Sequence, residues 1–365
     1  MKDSRSGSVR ISCAMAFSLL ISILSILSPT GLFIGVSRVE ASEAVRPPAA
    51  VDELRGAPFS NPDKIFPMSD EWKKLPIKYE PWADGADLAV VFDQQMYPAL
   101  VPLVEEFAKK NHVYIAKKEG TCGISGGMLR KKSVDVAGFC CAPGDIDRLP
   151  GLKYHNLGLA ALAVMTYGEN TLDNISMSDL QQVYRGRVNR WSKLKDSQGR
   201  SGPDMPITTV ARLHCKNIRP GDWCLILKNE KLFSPRLVEV GVVADLVRKV
   251  ADTRGAVGFE TLWVGEFYKA DKPVKILKVD GLDPRDPKSL ISGGYKLYRV
   301  FDITTWEGQG IEKPLAKQLV EFLIKNFDRT DPSYYFISAD KLRPPAAGWK
   351  FKDEELVGEP DGATR

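Results

Sequence analysis

The sequence has almost no excess of one charge, because 51 lysine and arginine residues stand against 46 aspartate and glutamate residues. The net charge of +5 is too small to indicate nucleic acid binding. No pair of acidic residues stands out as suited to acid–base chemistry, internal repeats are lacking, and beyond the N-terminal segment no apolar run could span a bilayer. A length of 365 residues and a hydrophobic fraction of 44% predict two domains with well-packed cores.

The N-terminal segment has the pattern of a targeting signal. Lys2, Arg5 and Arg10 form a basic region, Ile11–Ser28 is apolar, and Val39–Ala41 resembles a small-residue cleavage site. The sequence therefore predicts a signal peptide over residues 1–42 and export of the remainder; an uncleaved membrane anchor is the alternative.

The cysteines lack any Cys-x-x-Cys pair, so the spacing typical of a zinc motif or of covalent haem attachment is missing. The predicted mature chain has five: Cys122, Cys140, Cys141, Cys215 and Cys224. An odd number in an exported protein means that at least one thiol is free, metal-bound or paired with another chain.

The remaining sequence alternates between strand and helix patterns. Residues 43–85 are rich in proline and predict an extended arm without a core of its own. A buried strand is predicted at Leu88–Phe92, a helix at Met96–Lys110 and a second strand at Val113–Ala116, an order typical of an α/β fold with a parallel sheet. Among the aromatic and imidazole side chains, Trp191, Trp223 and Trp306 are predicted in the core and His112 and His155 at the surface.

The stretch Thr121–Pro143 is the centre of the predicted organisation. The small, glycine-containing run Thr121–Gly127 predicts a turn that lets a backbone approach a ligand and directs N–H groups at it, with a helix only from Met128. Cys140–Cys141 follow the predicted strand Val134–Phe139 at its carboxyl end, where open α/β sheets bind ligands. The two turns either face one cleft or are ordinary surface turns with buried cysteines.

The order of features over residues 86–328 resembles type II periplasmic solute-binding proteins, and among them the phosphate-binding proteins of ABC transporters. The most specific part is a long apolar strand followed by a run that matches the pattern L-x-x-i-y-x-G-k-i-x-x-W. The matching segments are Leu157–Tyr167, NISMSDL at 174–180, VYRGRVNRW at 183–191, Pro206–Arg212 and Gly255–Phe259.

The resemblance implies two α/β lobes joined by two crossing hinge strands, with a ligand clamped between the lobes. The crossings would lie near Leu157–Tyr167 and Tyr295–Thr304. The predicted division is a signal peptide (1–42), an N-terminal arm (43–85), lobe 1 (86–165 and 296–340), lobe 2 (166–295) and a C-terminal tail (341–365).

The ligand contacts of the family carry over only in part. The predicted contacts are Met96, Tyr97, Ser125, Gly126, Gly127, Cys141, Arg212 and Arg219. Met96 stands where the family has a hydroxyl residue, and Cys141 stands where it has the aspartate that accepts a proton from phosphate. Arg212 matches the family's arginine, and Arg219 follows it as a second guanidinium suited to an oxyanion.

The cysteines have no counterpart in the family pattern, yet several fall beside ligand-facing positions. Disulfides are predicted for Cys215 with Cys224 and for Cys122 with Cys140 or Cys141. The alternative is a site for a soft or borderline metal ion formed by Cys122, Cys141, His214 and Cys215.

The sequence therefore predicts an exported, periplasmic or extracellular solute-binding protein that is not an enzyme and needs no cofactor. Its predicted partners are a small phosphate-like oxyanion and a membrane ABC transporter permease, without nucleic acid, and the protein is predicted to be a monomer. The alternatives are a metal- or redox-linked protein on the same fold and a structural or partner-binding protein with a degenerate cleft.

Overall fold

The computed structural model describes residues 51–361, except 57, 215–218, 220, 269–271 and 309. The predicted signal peptide and residues 43–50 of the predicted arm therefore lie outside the described residues. Within the part that is described, no helix has the length and apolarity needed to cross a membrane.

Helices and strands alternate through most of the chain. The helices are α1 (Val51–Leu54), α2 (Asp70–Lys74), α3 (Tyr97–Asn111), α4 (Cys122–Arg130), α5 (Met177–Tyr184), α6 (Val243–Asp252), α7 (Leu262–Phe267), α8 (Pro287–Ile291), α9 (Pro314–Asn326) and α10 (Ala339–Leu342). The strands are β1 (Leu88–Asp93), β2 (Ile115–Gly120), β3 (Val136–Phe139), β4 (Leu152–Tyr167), β5 (Asn174–Ile175), β6 (Thr208–Ala211), β7 (Val238–Glu239), β8 (Ala256–Thr261), β9 (Val274–Val279), β10 (Tyr298–Trp306), β11 (Ile337–Ser338), β12 (Lys350–Lys352) and β13 (Glu355–Gly358). Capping residues explain several helix starts, since the hydroxyls of Thr121 and Ser176 accept N–H groups of the first turns of α4 and α5.

One large sheet runs through the molecule in the order β2-β1-β3-β10-β4-β8-β6-β7. β1 pairs in parallel with β2 and β3, as the alternating sequence pattern predicts. β10 and β4 lie antiparallel to each other in the middle of the sheet, and β4 then pairs antiparallel with β8. The central pair thereby connects two sets of parallel strands.

Two hydrophobic cores lie on the two sides of this pair. The lobe 1 core is formed by β1–β3, α3, α4 and α9, and the lobe 2 core by α5, α6, β6 and β8. β4 and β10 contribute to both cores, with Phe301 and Ile303 in lobe 1 and Tyr298 and Val300 in lobe 2. The structure thus has two α/β lobes joined by two crossing strands, which confirms the predicted fold class.

The segments outside the lobes are packed on them. Phe66, Trp72 and Tyr79 of the predicted arm pack against the lobe 1 core. The region 341–361, predicted as a tail, instead forms the β12–β13 hairpin and places Trp349 and Leu356 in the lobe 2 core. The apolar side chains of the hairpin gain burial by packing, which an extended tail would not provide. The boundaries of the two lobes stay a prediction.

The burial of individual side chains was predicted correctly at some positions and wrongly at others. Trp191, Trp223 and Trp306 are buried, as predicted. His155 is also buried, although a surface position was predicted, because it lies in β4 and its Nε2 is 2.7 Å from Thr305 Oγ1. A single histidine in a long strand gives no sequence signal of which face it occupies.

Asp302 lies in the crossing strand β10 beside a register irregularity and is fully buried. Its Oδ1 accepts a hydrogen bond of 2.9 Å from Asn156 Nδ2, yet burial raises the pKa of Asp302 well above its ordinary value. An aspartate in the unfolded chain has a pKa of about 3.9, and the pKa of Asp302 in the folded protein is higher. Below the unfolded pKa the protonated carboxyl contributes its full stabilisation. This stabilisation is lost as the pH rises through the pKa of the folded protein. The charged form is therefore destabilising at alkaline pH.

We expect Asp302→Asn, which keeps the shape without the charge, to raise the urea midpoint at pH 8. The gain should shrink toward pH 4, where the wild-type carboxyl carries its proton. Asp84→Asn, at an exposed position, is the matched control and should show no such trend. A gain that stays constant from pH 4 to pH 8 would contradict this account.

Candidate functional site

The site begins where α4 and the end of β3 meet in lobe 1. Thr121 caps α4, which places Cys122 in its first turn, and Cys140 and Cys141 directly follow β3. Cys122 Sγ and Cys140 Sγ are 3.3 Å apart, and Cys140 Sγ and Cys141 Sγ are 4.0 Å apart. We call these three residues the thiol cluster, and all three are buried.

The predicted turn over Thr121–Gly127 is wrong, because α4 already begins at Cys122. Inside a helix the backbone N–H groups bond to preceding carbonyls, and the Ser125 amide donates to Thr121 O at 2.9 Å. The Ser125 hydroxyl donates to Gly138 O at 2.9 Å and so ties α4 to β3. Ser125 therefore supports the local structure, and its amide is not available to cradle an anion.

Gly126 is covered by Arg219. A Cβ at position 126 would lie 2.4 Å from Arg219 Nη2, so only glycine leaves room for the guanidinium. Arg219 Nη2 donates to Asp147 Oδ1 at 2.5 Å, and the guanidinium lies 5.6 Å from the centre of the Phe139 ring. This ion pair joins Arg219 of lobe 2 to lobe 1.

Arg212 lies directly after β6 and donates from Nη1 to Glu260 Oε2 at 2.7 Å. Burial opposes the ionised form of Glu260, but the charges of Arg299 and Arg212 outweigh it and lower the pKa of Glu260 to about 2. Arg212 is thus held by a carboxylate that stays charged at any physiological pH.

Arg299 occupies the middle of the site on the crossing strand β10. Its Nη2 donates to Asp222 and to Glu260 Oε1, the latter at 2.6 Å. Its Nη1 lies 3.0 Å from Cys140 Sγ and 3.3 Å from Cys140 O. The side chain is completely buried, so one guanidinium connects two acids with the thiol cluster.

His214 brings lobe 2 against the thiol cluster. Its Nε2 lies 3.4 Å from Cys141 Sγ and 3.3 Å from Asp222 Oδ1. Trp223 Nε1 donates to the His214 carbonyl at 2.7 Å. Cys141 and Arg219 are therefore both at the contact between the lobes, and their role in ligand binding stays a prediction.

Met96 and Tyr97 lie at the start of α3 and pack against the lobe 1 core. Met96 is completely buried in the lobe 1 core, and a Cβ on Gly138 would meet its Sδ at 2.7 Å. Tyr97 begins α3 and packs against the same core while partly exposed. The structure places Met96 as a packing residue under β3, and the ligand role predicted for it has no geometric support.

No bridge joins Cys122 to Cys140, because their separation of 3.3 Å exceeds the S–S bond length of about 2.05 Å. Nor does a disulfide join Cys122 to Cys141. The disulfide predicted within this group is therefore not formed. Cys215 lies outside the described residues, so its pairing with Cys224 stays a prediction. Burial raises the pKa of the Cys224 thiol to about 12.

The electrostatics of the thiol cluster favour a thiolate. Although burial raises the pKa of Cys140, hydrogen bonds from Cys122 and Cys141 and the charges of Arg299 and His214 lower it well below its ordinary value. The pKa of Asp93 shifts in the opposite direction. Burial, and next the charge of Cys140, raise it well above the ordinary value.

Sequence reasoning missed the acids and the third arginine of the site. Arg212, Arg219 and Arg299 are accompanied by three carboxylates, those of Asp147, Asp222 and Glu260. Three positive and three negative side chains therefore balance before any thiolate is counted. The sequence offered no motif for these acids, although Glu260 directly follows the matched segment Gly255–Phe259.

No protein-family model matches the chain. Among solved structures, the chain is similar to an ABC-type phosphate transport receptor from Vibrio cholerae, with 18% identity and a TM-score of 0.54 over 69% of this chain and 99% of that chain. It is also similar to a putative phosphate ABC transporter substrate-binding protein with bound phosphate from Clostridium perfringens, with 16% identity and a TM-score of 0.57 over the same shares. At these identities the likeness establishes a common fold.

Proposed function

We propose that this chain is a solute-binding protein that holds a small ligand between its two lobes. The observation that carries the proposal is the meeting of polar side chains from both lobes, Arg219 with Asp147 at 2.5 Å and His214 with Cys141 at 3.4 Å. Contacts of this kind can be broken and remade as lobes open and close about hinge strands, which a packed apolar interface does not allow. The fold shared with phosphate receptors supports the same function.

We also propose where such a receptor works, in which oligomeric state and with which partner. We infer export to the periplasm or the cell exterior through the predicted signal peptide, action as a monomer, and delivery of the ligand to a membrane ABC permease. No chemical transformation of the ligand is proposed.

An oxyanion is the first candidate ligand, and Arg212 and Arg219 are the residues that would hold it. Both arginines are buried against carboxylates, so an anion must replace Glu260 and Asp147 as their partners. Cys141 is a weaker proton acceptor than the aspartate that the sequence resemblance implies at this position. We therefore propose that phosphate either binds weakly or is not distinguished from unprotonated anions such as sulfate and molybdate.

Thermal-shift titrations with phosphate, sulfate and molybdate at fixed ionic strength and pH test the oxyanion proposal. We expect similar shifts for the three anions, because the site is proposed not to distinguish them. The shifts should be measurable, since a ligand at about 100 times its Kd adds roughly 2.7 kcal/mol of stability. Arg212→Gln should weaken each anion by about tenfold to a hundredfold, because a hydrogen bond to a charged group contributes roughly 1.5–3 kcal/mol. Arg187→Gln, at an exposed position in lobe 2, is the control and should leave the titrations unchanged.

Two outcomes would reject the oxyanion as ligand. One is the lack of any shift that exceeds the effect of sodium chloride at the same ionic strength. The other is equal affinity in wild type and Arg212→Gln. Tight phosphate binding with exclusion of sulfate would instead show that another acid, such as Asp147 or Asp222, accepts the phosphate proton.

A further inference from the structure

Three buried thiols converge at one point of lobe 1. The Sγ atoms of Cys122, Cys140 and Cys141 all lie within 4.8 Å of one another. A metal ion with bonds to sulfur of about 2.3 Å holds its thiolates about 3.8–4.0 Å apart. The Cys140–Cys141 separation of 4.0 Å already has this value, and the Cys122–Cys140 separation of 3.3 Å needs a shift of about half an ångström. The geometry is thus closer to a metal site than to a disulfide.

The surroundings of the sulfur atoms fit thiolate ligands. Cys140 Sγ accepts from Arg299 Nη1 at 3.0 Å, and Cys122 Sγ accepts from the Cys140 amide at 3.2 Å. Such donors orient metal ligands and offset their negative charge. A cavity of about 10 Å³ adjoins Cys140, Cys141 and Asp222, which is room for a group the size of one water molecule.

A second group of donor atoms shares Cys141 with the first. Cys141 Sγ, His214 Nε2 and Asp222 Oδ1 also lie within 4.8 Å of one another. Sulfur and imidazole nitrogen together suit soft and borderline ions, such as zinc, cadmium and copper(I), and not the oxygen-preferring magnesium or calcium.

We propose that Cys122, Cys140 and Cys141 bind one soft or borderline metal ion, and that His214 adds a fourth donor from lobe 2. Each thiol releases its proton to solvent as it binds the ion. Three thiolates and a divalent ion leave one negative charge, which faces the guanidinium of Arg299. The site goes beyond the proposed solute binding, because its three thiols belong to lobe 1 and bind the ion whether or not an anion lies between the lobes.

Cadmium is the probe, added to the full mature chain under anaerobic conditions after reduction with a phosphine. We expect one cadmium ion per chain, a thiolate-to-cadmium charge-transfer absorption of the strength of three sulfurs, and an X-ray absorption first shell of about three sulfur atoms. A first shell of oxygen and nitrogen alone, or no bound ion in the reduced protein, would overturn the proposal. These readouts use the wild type and do not depend on a variant that folds.

Variants then assign the ligands. Cys140→Ser should lower cadmium affinity by about tenfold or more and weaken the absorption by one sulfur, whereas Cys224→Ser, outside the thiol cluster, should change neither. His214→Gln should lower the affinity while keeping the full sulfur absorption. Unchanged affinity in Cys140→Ser would overturn the three-thiolate site, and unchanged affinity in His214→Gln would overturn the role of lobe 2. Phosphate titrations of the same samples remain a separate test of solute binding.

Discussion

Replacing Arg299 by leucine is expected to lower the free energy of unfolding by about 3–5 kcal/mol, because it leaves buried acids without their partner. The side chain of Arg299 is completely buried and donates to Asp222 and Glu260. Glu260 keeps its hydrogen bond from Arg212 at 2.7 Å, so most of the loss should fall on Asp222. Leucine fills part of the volume but provides no charge and no donor.

Urea denaturation at neutral pH measures this effect. Arg329→Leu is the matched control, because Arg329 forms an ion pair with Glu106 in which both side chains are about half exposed. That pair should contribute no more than about 1 kcal/mol. Arg299→Lys should also destabilise, since an ammonium group cannot reproduce the forked geometry toward two carboxylates. A loss below about 1 kcal/mol for Arg299→Leu would show that the acids are relieved in another way, such as by taking up protons.

Arg299, on the crossing strand β10, contacts both parts of the candidate site, the acids of lobe 2 and the thiol cluster of lobe 1. From β10 it reaches the acids of lobe 2 on one side and the Cys140 carbonyl of lobe 1 on the other, at 3.3 Å. A change of charge in the thiol cluster, through metal binding or oxidation, therefore acts directly on a residue that also holds Asp222 and Glu260. Arg299 and His214 therefore both connect the cysteines of lobe 1 with the acids of lobe 2.

The sequence predicts the secondary structure best where burial is continuous or periodic. β1 is completely buried and was expected as a strand at Leu88–Phe92, and the helix expected at Met96–Lys110 is α3. These elements follow from local pattern, because one face or the whole of each segment must leave water. The order of such segments indicated a parallel sheet with helices, and the two-lobe division came from the resemblance over residues 86–328.

The start of α4 shows where local propensity fails. Gly123, Gly126 and Gly127 each disfavour a helix by roughly 1 kcal/mol relative to alanine, so a turn was the expected structure. Packing of α4 on β3, through the Ser125 hydroxyl and the buried Met128, outweighs this preference. The glycine at 126 is needed for a reason that only the fold reveals, the approach of Arg219.

The charges of the candidate site could not be predicted from spacing. Arg299 is 77 residues from Asp222 and 39 from Glu260, and Arg219 is 72 residues from Asp147. Nothing local in the sequence relates such partners, since the fold alone brings them together. Arg212 and Arg219 were visible in the sequence as anion-binding candidates, whereas Arg299 and the acids that pair with the arginines were not.

Replacing Trp191 by alanine is expected to cost about 3–5 kcal/mol of unfolding free energy, the range for removing a large aromatic side chain from a core. Trp191 ends the segment that most resembles the solute-binding family, and it is completely buried in the lobe 2 core. Its Nε1 donates to Gly255 O at 2.9 Å, and its ring contacts Tyr167 edge to face at 6.5 Å. The substitution therefore leaves a cavity and removes one of two hydrogen bonds to Gly255 O, which still accepts the Thr208 amide at 3.1 Å.

Trp191→Phe separates these two contributions in urea denaturation at neutral pH. Phenylalanine retains most of the apolar ring but has no donor, so we expect a loss of about 0.5–1.5 kcal/mol from the missing hydrogen bond to Gly255 O. Phe267→Ala, at a position that is 60% exposed, is the surface control and should change stability by no more than about 0.5 kcal/mol. If Trp191→Ala cost as little as Phe267→Ala, water or a rearranged Tyr167 would have to fill the space, and the rigid packing of the lobe 2 core around Trp191 would be disproved.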